Sequence, residues 1–133
     1  MVRQANGIQI KPLAAFRAES LFGADIIRLL GRAQLPTVGF DHVRIPQGSA
    51  LAPHIHEASA SFIYILAGAA LVTLDDTAYP VKPGDTIYIP PGVSHGFSTP
   101  DQEVILLSVQ SPPIYPEDCA PDIKFPTRSG ANL

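Results

Sequence analysis

Three of the four histidines have the spacing and surroundings expected of a metal site. His54 and His56 are separated by one residue, and side chains at positions i and i+2 of a strand lie on the same face. Both imidazoles could therefore reach one divalent ion. His95 follows Pro90 and Gly92, which suit a tight turn that would direct the third imidazole inward. The alternative is a filled interior without metal, in which the imidazoles only form hydrogen bonds.

Short apolar runs separated by prolines and glycines predict an all-β protein. The 133 residues include 14 prolines and 10 glycines. Runs rich in Val, Ile, Leu, Tyr and Phe between such residues are typical of the strands of a sandwich or barrel. The predicted strands are Ile8–Ile10, Ile26–Leu30, Thr37–Ile45, Ala52–His56, Ser61–Ala67, Ala70–Leu74, Thr77–Val81, Thr86–Ile89, His95–Ser98 and Val104–Gln110. A helical turn is expected only within Leu13–Leu21, and sharp turns at Gly68, Asp75–Asp76 and Pro83–Asp85.

Eight positions match the two sequence motifs of the cupin superfamily. The first motif, G-x5-H-x-H-x3-4-E-x6-G, is matched by Gly48, His54, His56 and Gly68. The second motif, G-x5-P-x-G-x2-H-x3-N, is matched by Gly84, Pro90, Gly92 and His95. The chain thus resembles a small single-domain cupin over residues 1–133, with a motif region at 48–99 and a proline-rich C-terminal extension at 111–133. The resemblance implies a single cupin-type β-barrel, a jelly-roll-like double-stranded β-helix, with one divalent metal ion on His54, His56 and His95.

Two positions depart from these motifs. The glutamate ligand of the family falls on Ser61, and the final asparagine falls on Thr99. Serine is a poor metal ligand at neutral pH because its hydroxyl stays protonated, so the resemblance implies three ligands rather than four. Glu57 could replace the missing carboxylate, although a regular strand would direct it away from the ion because it follows His56 directly.

A site of three neutral imidazoles would leave the ion its full charge and two or three open positions. Some cupin dioxygenases that cleave diketones, thiols or gentisate-like rings also use three histidines without the acid. The resemblance therefore favours a dioxygenase acting on a small oxygen-bearing molecule. An isomerase or lyase and a non-catalytic small-molecule binding domain are the alternatives. Iron, zinc, nickel and manganese all suit these ligands, and no general base stands out in the sequence.

The remaining pocket residues are predicted from strand alternation. Ser61 shares a face with Ile63 and Ile65, and Phe97 shares the face of His95. Arg44 could bind an anionic substrate group or be solvated on the outer face, and His42 could line the pocket or lie at the surface. For each aromatic residue, plain core packing is the alternative. The pocket candidates are Phe40, His42, Arg44, Ser61, Tyr64, Tyr88 and Phe97.

The composition disfavours several classes of partner. Net charge is −3 and no run of Lys or Arg occurs, so a nucleic-acid partner is not expected. The longest apolar stretch, residues 62–74, is interrupted by Gly68 and is too short for a membrane helix. The first seven residues lack the apolar stretch of a secretory signal. Cys119 is the only cysteine, so an intrachain disulfide is excluded and a cytoplasmic location is expected.

The C-terminal extension is unlike the rest of the chain. Its five prolines between positions 112 and 126 leave few N–H groups for a β-ladder, so it cannot be a central strand. We expect it to run extended over the barrel or a neighbouring subunit, with a disordered tail as the alternative. Its anchors would be Ile114, Tyr115, Ile123 and Phe125. The resemblance also implies a homodimer, because small barrels have edge strands to protect.

Overall fold

The computed structural model describes residues 3–30, 34–115 and 120–126 and confirms an all-β fold. These residues form twelve strands and one 3₁₀ turn at Leu13–Ala15. The strands are β1 (Arg3–Ala5), β2 (Ile8–Ile10), β3 (Ala18–Leu21), β4 (Ala24–Arg28), β5 (Gly39–Ile45), β6 (Ala50–His54), β7 (Ala60–Gly68), β8 (Ala70–Leu74), β9 (Thr77–Val81), β10 (Thr86–Ile89), β11 (His95–Ser98) and β12 (Val104–Ser111).

Two antiparallel sheets enclose the interior of the barrel. The larger sheet has six strands in the order β10-β7-β12-β5-β4-β3, and the smaller has four in the order β6-β11-β8-β9. Strands β1 and β2 form a separate hairpin. Along β5, β7 and β12 of the large sheet, interior and exterior residues alternate, because successive side chains of a strand point to opposite faces. The expected β-barrel is confirmed.

The alternation is clearest along β7, which lies between β10 and β12 in the large sheet. Ser61, Ile63 and Ile65 are buried, while Phe62 and Tyr64 are exposed on the opposite face. Burying an isoleucine side chain of this kind contributes about 1.5–3 kcal/mol to folding. The interior is therefore held together by apolar side chains from both sheets, including Ile45, Val72, Ile89 and Val104.

The turn at Gly68 joins the two sheets by leading from β7 into β8. Its φ of +79° lies in the left-handed region that favours glycine. A Cβ atom at this position would also collide with the backbone carbonyl of Glu103. The motif glycine is thus required by both backbone conformation and space.

The N-terminal part of the chain differs from the prediction. Strands β1 and β3 were not predicted, and the helical turn expected within Leu13–Leu21 is confined to Leu13–Ala15. Ala18–Leu21 instead pairs with β4, so tertiary strand pairing prevails over local sequence preference. Cys119 and residues 127–133 of the extension lie outside the described residues. Within the described part of the chain, no helix has the length and apolar character needed to cross a membrane.

Candidate metal centre

The three motif histidines meet at one end of the small sheet. His54 is the last residue of β6 and His95 is the first of β11, and the two are directly paired across these strands. His56 lies two residues beyond the end of β6, where the N–H of Gly92 donates to its carbonyl over 2.8 Å. The turn that precedes His95 therefore also holds His56.

The geometry of the three imidazoles suits metal binding. One ring nitrogen from each histidine lies within 4.8 Å of those of the other two. The ring centroids are 4.3–5.0 Å apart. All three side chains are buried. The cluster could hold one divalent metal ion.

Backbone carbonyls orient all three rings. Nδ1 of His54 donates to the carbonyl of Ala52 (2.8 Å), and Nδ1 of His95 to that of Val93 (3.0 Å). Nδ1 of His56 donates to the carbonyl of Asp122 (2.6 Å). Since a carbonyl oxygen only accepts, each neutral ring carries its proton on Nδ1 and keeps the Nε2 lone pair for a metal.

Burial favours the neutral, metal-binding form of His54 and His95. It lowers the pKa of His95 to about 4, more strongly than the carbonyl of Val93 raises it. Burial also lowers the pKa of His54, and the neighbouring imidazole of His56 acts in the same direction. A neutral imidazole needs no proton removal before it binds a metal ion, so burial favours metal binding by His54 and His95.

Residues 120–126 form a strap across the histidine site. Ile55 and Lys124 exchange two backbone hydrogen bonds of 2.8 and 2.9 Å, which continues the extended backbone of β6 past His54. This pairing places His54 and His56 on the same side of the chain, as the H-x-H spacing predicts. The ring of Phe125 packs 6.0 Å from that of His54 and 5.5 Å from that of Phe22.

The carboxylate of Asp122 anchors the strap. It accepts backbone hydrogen bonds from Glu57, Ala58 and Ser59 over 2.8–3.1 Å. Burial opposes its charged form, yet these N–H donors hold the pKa of Asp122 below its usual value. Asp122 therefore fixes the turn after His56 with its side chain and the His56 ring with its carbonyl.

The histidines open onto a cavity of about 610 Å³, including the part exposed to solvent. Most of its wall is apolar and comes from both sheets and the strap, with Ile63, Phe97, Leu106 and Phe125 as examples. Ser61, which occupies the position of the family's glutamate, and Phe97 line it as expected from alternation. Glu57 is exposed and pairs with Lys124 (3.0 Å), so it does not replace the missing carboxylate.

Tyr64 and Tyr88 do not line this cavity, which corrects the prediction. They are 41% and 64% exposed, on the outer face of the large sheet. Side chains alternate between the two faces along the paired strands β7 and β10. Those of Tyr64 and Tyr88 point away from the interior. Tyr64 has the opposite parity to Ser61 and Ile63, which excludes it from their face.

Phe40, His42 and Arg44 also lie outside the cavity, because Asp41 and Val43 are the inward-facing residues of β5. Arg44 forms ion pairs of 2.8 Å with Asp25 and with Glu103 on the outer face. The Nδ1 atom of His42 is buried without a hydrogen-bond partner among the described residues. Of the two predicted positions for Arg44, the structure therefore has the one on the outer face.

Four polar residues of the cavity are not among the predicted pocket residues: Asp41, Ser108, Gln110 and Tyr115, the last of which was expected only as an anchor of the C-terminal extension. A signal for Asp41 was present, because it shares strand parity with the buried Val43 and Ile45. A charged residue on an apolar strand face is unusual and marks a candidate functional group. Ser108 and Gln110 share the inner face of β12 with Leu106 in the same way.

Comparisons with known proteins agree with the fold and the motifs. A family model for the cupin domain matches residues 41–110, more than half of the chain. The uncharacterized protein MJ1618 of Methanocaldococcus jannaschii is 49% identical over 51 residues, 38% of this chain and 41% of that protein. Protein SchB of Streptomyces halstedii is 38% identical over 73 residues, 53% of each chain. The matches thus span about half or less of these curated relatives.

Solved structures show the same fold at low identity. The polyketide cyclase RemF of Streptomyces resistomycificus superposes with a TM-score of 0.71 at 24% identity, covering 86% of this chain and 89% of RemF. A predicted oxalate decarboxylase of Thermotoga maritima gives a TM-score of 0.70 at 20% identity, covering 77% and 97%. KdgF of a Halomonas species gives 0.65 at 22% identity, covering 72% and 86%. Because the family model covers more than half of the chain, this protein belongs to the cupin family.

Proposed function

We propose that this cupin is a metal-dependent enzyme acting on a small, oxygen-bearing and largely apolar molecule. The observation that carries the proposal is the set of three buried, converging imidazoles at the wall of an apolar cavity. A divalent ion of iron, zinc, nickel or manganese would supply Lewis-acid polarisation there, and iron would add reactivity toward O₂.

The residues of the chain determine what can bind beside the histidines. Ser61 stands where the family has its glutamate. A metal ion held by the three histidines would therefore keep its full positive charge and have more open coordination positions. Phe97, Phe125 and the other apolar side chains exclude water and favour an uncharged hydrocarbon portion of the ligand. These features support a dioxygenase as the first candidate, with a substrate that chelates through two oxygens.

An isomerase or lyase is the second candidate, favoured by one specific observation. The buried carboxyl group of Asp41 lines the same cavity as the histidines and could transfer protons. Structural neighbours are described as a polyketide cyclase, a predicted oxalate decarboxylase and sugar phosphate isomerases. Such variety on one fold means that the side chains of the site, rather than the fold, decide between the two candidates.

Oxygen uptake distinguishes the two reactions. Protein loaded anaerobically with iron is mixed with a panel of diketones, thiols and catechols, and O₂ consumption is recorded. Uptake that is abolished in a His54→Ala/His95→Ala variant and retained in His42→Ala, which alters a histidine outside the cavity, would support the dioxygenase. No uptake with any compound would reject it and leave the isomerase or lyase. Absence of both metal binding and ligand turnover would reject both enzymatic candidates and leave the non-catalytic binding domain.

We also propose a homodimer that covers the outer face of the large sheet. Phe62 is exposed there between Tyr88 and Val109, its register partners on the two neighbouring strands. A continuous apolar patch of this kind is typical of a protein–protein interface. Light scattering should give the mass of a dimer for the wild type and of a monomer for Phe62→Glu. A monomeric wild type would contradict the proposal.

A further inference from the structure

A polar cluster stands in the cavity wall formed by the large sheet, whereas the histidines belong to the small sheet and its margin. Gln110 Nε2 lies 3.1 Å from Oδ2 of Asp41 and 2.7 Å from Oγ of Ser108. It also lies 3.2 Å from the Ser108 carbonyl. Gly39, which pairs with Gln110, has no side chain that would collide with the glutamine. The cluster is thus held in a defined position beside the cavity.

The buried carboxylate of Asp41 has few partners that would stabilise its negative charge. It is 4% exposed, and within the described ranges its carboxyl group forms a hydrogen bond only to Gln110. Arg28, opposite it on β4, pairs instead with Glu19 on β3 (3.0 Å) and stacks on Tyr115 (4.2 Å). Arg28 therefore acts on Asp41 only through space.

The groups facing Asp41 leave one of its oxygens available to a ligand. From β12, Gln110 donates to Oδ2, and Ser108 is bonded to Gln110 rather than to Asp41. Arg28 and Glu19 lie toward β4 and β3, and Tyr115 closes the same side. The three histidines face the cavity from the other sheet and its margin. Burial raises the pKa of Asp41 to about 6, against the Gln110 hydrogen bond and the charge of Arg28. A carboxyl group with such a pKa can both take up and release a proton near neutrality.

We propose that Asp41 is the acid–base residue of this cavity and that the substrate is an enolisable carbonyl compound. This inference rests on the proposed metal-dependent function, in its isomerase or lyase form. The carbonyl oxygen of the substrate would lie at the histidine end, with the adjacent C–H group toward Asp41.

The proton transfer balances without a further reactant. The Asp41 carboxylate removes a proton from the carbon next to the carbonyl. The C–H electron pair forms a C=C bond, and the carbonyl π pair moves onto oxygen. Return of the same proton to a different atom gives an isomer, and the reaction is redox-neutral as a whole, with no external oxidant or reductant. Gln110 acts as a positioning residue that keeps the carboxyl group directed at the cavity.

Hydrogen–deuterium exchange of a simple probe tests the assignment. Acetoin, an α-hydroxyketone that can chelate, is incubated in D₂O with zinc-loaded protein, and loss of the C–H signal is followed by NMR. We expect the wild type to accelerate exchange and Asp41→Asn to lower this acceleration by about 100-fold or more. Asp25→Asn is the matched control, because Asp25 pairs with Arg44 outside the cavity.

A second measurement needs no metal. In metal-free protein, infrared difference spectra between mildly acidic and neutral pH should show a protonated-carboxyl band from a buried acid. Asp41→Asn should remove this band. A band unchanged in Asp41→Asn would overturn the assignment.

The outcomes separate the inference from the function on which it rests. Equal exchange rates in zinc-loaded wild type and Asp41→Asn would overturn the role of Asp41 alone, as would the absence of acceleration by zinc-loaded wild type. Failure of the wild type to bind zinc would instead overturn the proposed metal-dependent function.

Discussion

Replacing Asp41 with asparagine measures how its buried carboxyl group changes the free energy of unfolding with pH. Burial raises the pKa of Asp41 from 3.8 to about 6, and the hydrogen bond from Gln110 only partly offsets this effect. Because the folded state holds the proton more tightly than the unfolded chain, protonation of Asp41 stabilises the fold fully below pH 3.8. This contribution is lost as the pH rises through about 6. Asparagine retains the size and an acceptor for Gln110 but does not titrate.

The magnitude follows from the two pKa values. The change from 3.8 to about 6 corresponds to about 3 kcal/mol, at about 1.36 kcal/mol per pKa unit. Relative to the wild type, the free energy of unfolding of Asp41→Asn should therefore rise by about 3 kcal/mol between about pH 3.5 and about pH 7. The variant gains in relative stability toward neutral pH.

Urea denaturation of the metal-free proteins, followed by circular dichroism across this pH range, provides the assay. Subtracting the wild-type curve removes the contribution of the histidines, which both proteins share. A difference between the two proteins that does not change with pH would refute the reasoning, because it would mean that the carboxyl group is solvated or paired in the folded state.

Three further substitutions test the site and its frame. Asp122→Ala removes the anchor of the strap that orients His56, and should weaken metal affinity by about 10–100-fold in a competition titration; Lys124→Ala, which removes only an exposed ion pair, should leave that affinity unchanged. Equal affinities of the two variants would contradict the role of the strap. Tyr88→Ser should leave metal affinity unchanged, because the side chain lies on the outer face of the sheet; a loss would show that Tyr88 reaches the site. Gly68→Ala should lower the free energy of unfolding by more than about 1 kcal/mol, because of its positive φ and the Glu103 carbonyl, and unchanged urea denaturation would show that the turn tolerates a side chain.

The histidine cluster could be predicted because its determinants are local in sequence. The spacing of His54 and His56 specifies a shared face, and the turn at Gly92 precedes His95 by three residues. Strand alternation likewise placed Ser61 and Phe97 on the inside. Period-two patterns of this kind depend only on backbone geometry, which is the same in every strand.

The remaining parts of the site depend on contacts between distant segments. The hydrogen bond from His56 to Asp122 spans 66 residues, and no local pattern indicates such a partner. The predicted pocket residues Phe40, His42 and Arg44 have the outward parity of β5, and Asp41 has the opposite, inward parity. Which parity of that strand faces inward is decided by its pairing with β4 and β12 and by the closure of the barrel around it.

Metal analysis tests the central claim most directly. The protein is purified without a chelating column, and its metal content and zinc affinity are compared with those of His54→Ala/His95→Ala and His42→Ala. We expect one divalent ion per chain in the wild type and in His42→Ala, and none in the double variant. Metal content in the double variant equal to that of the wild type would contradict a centre built on these histidines.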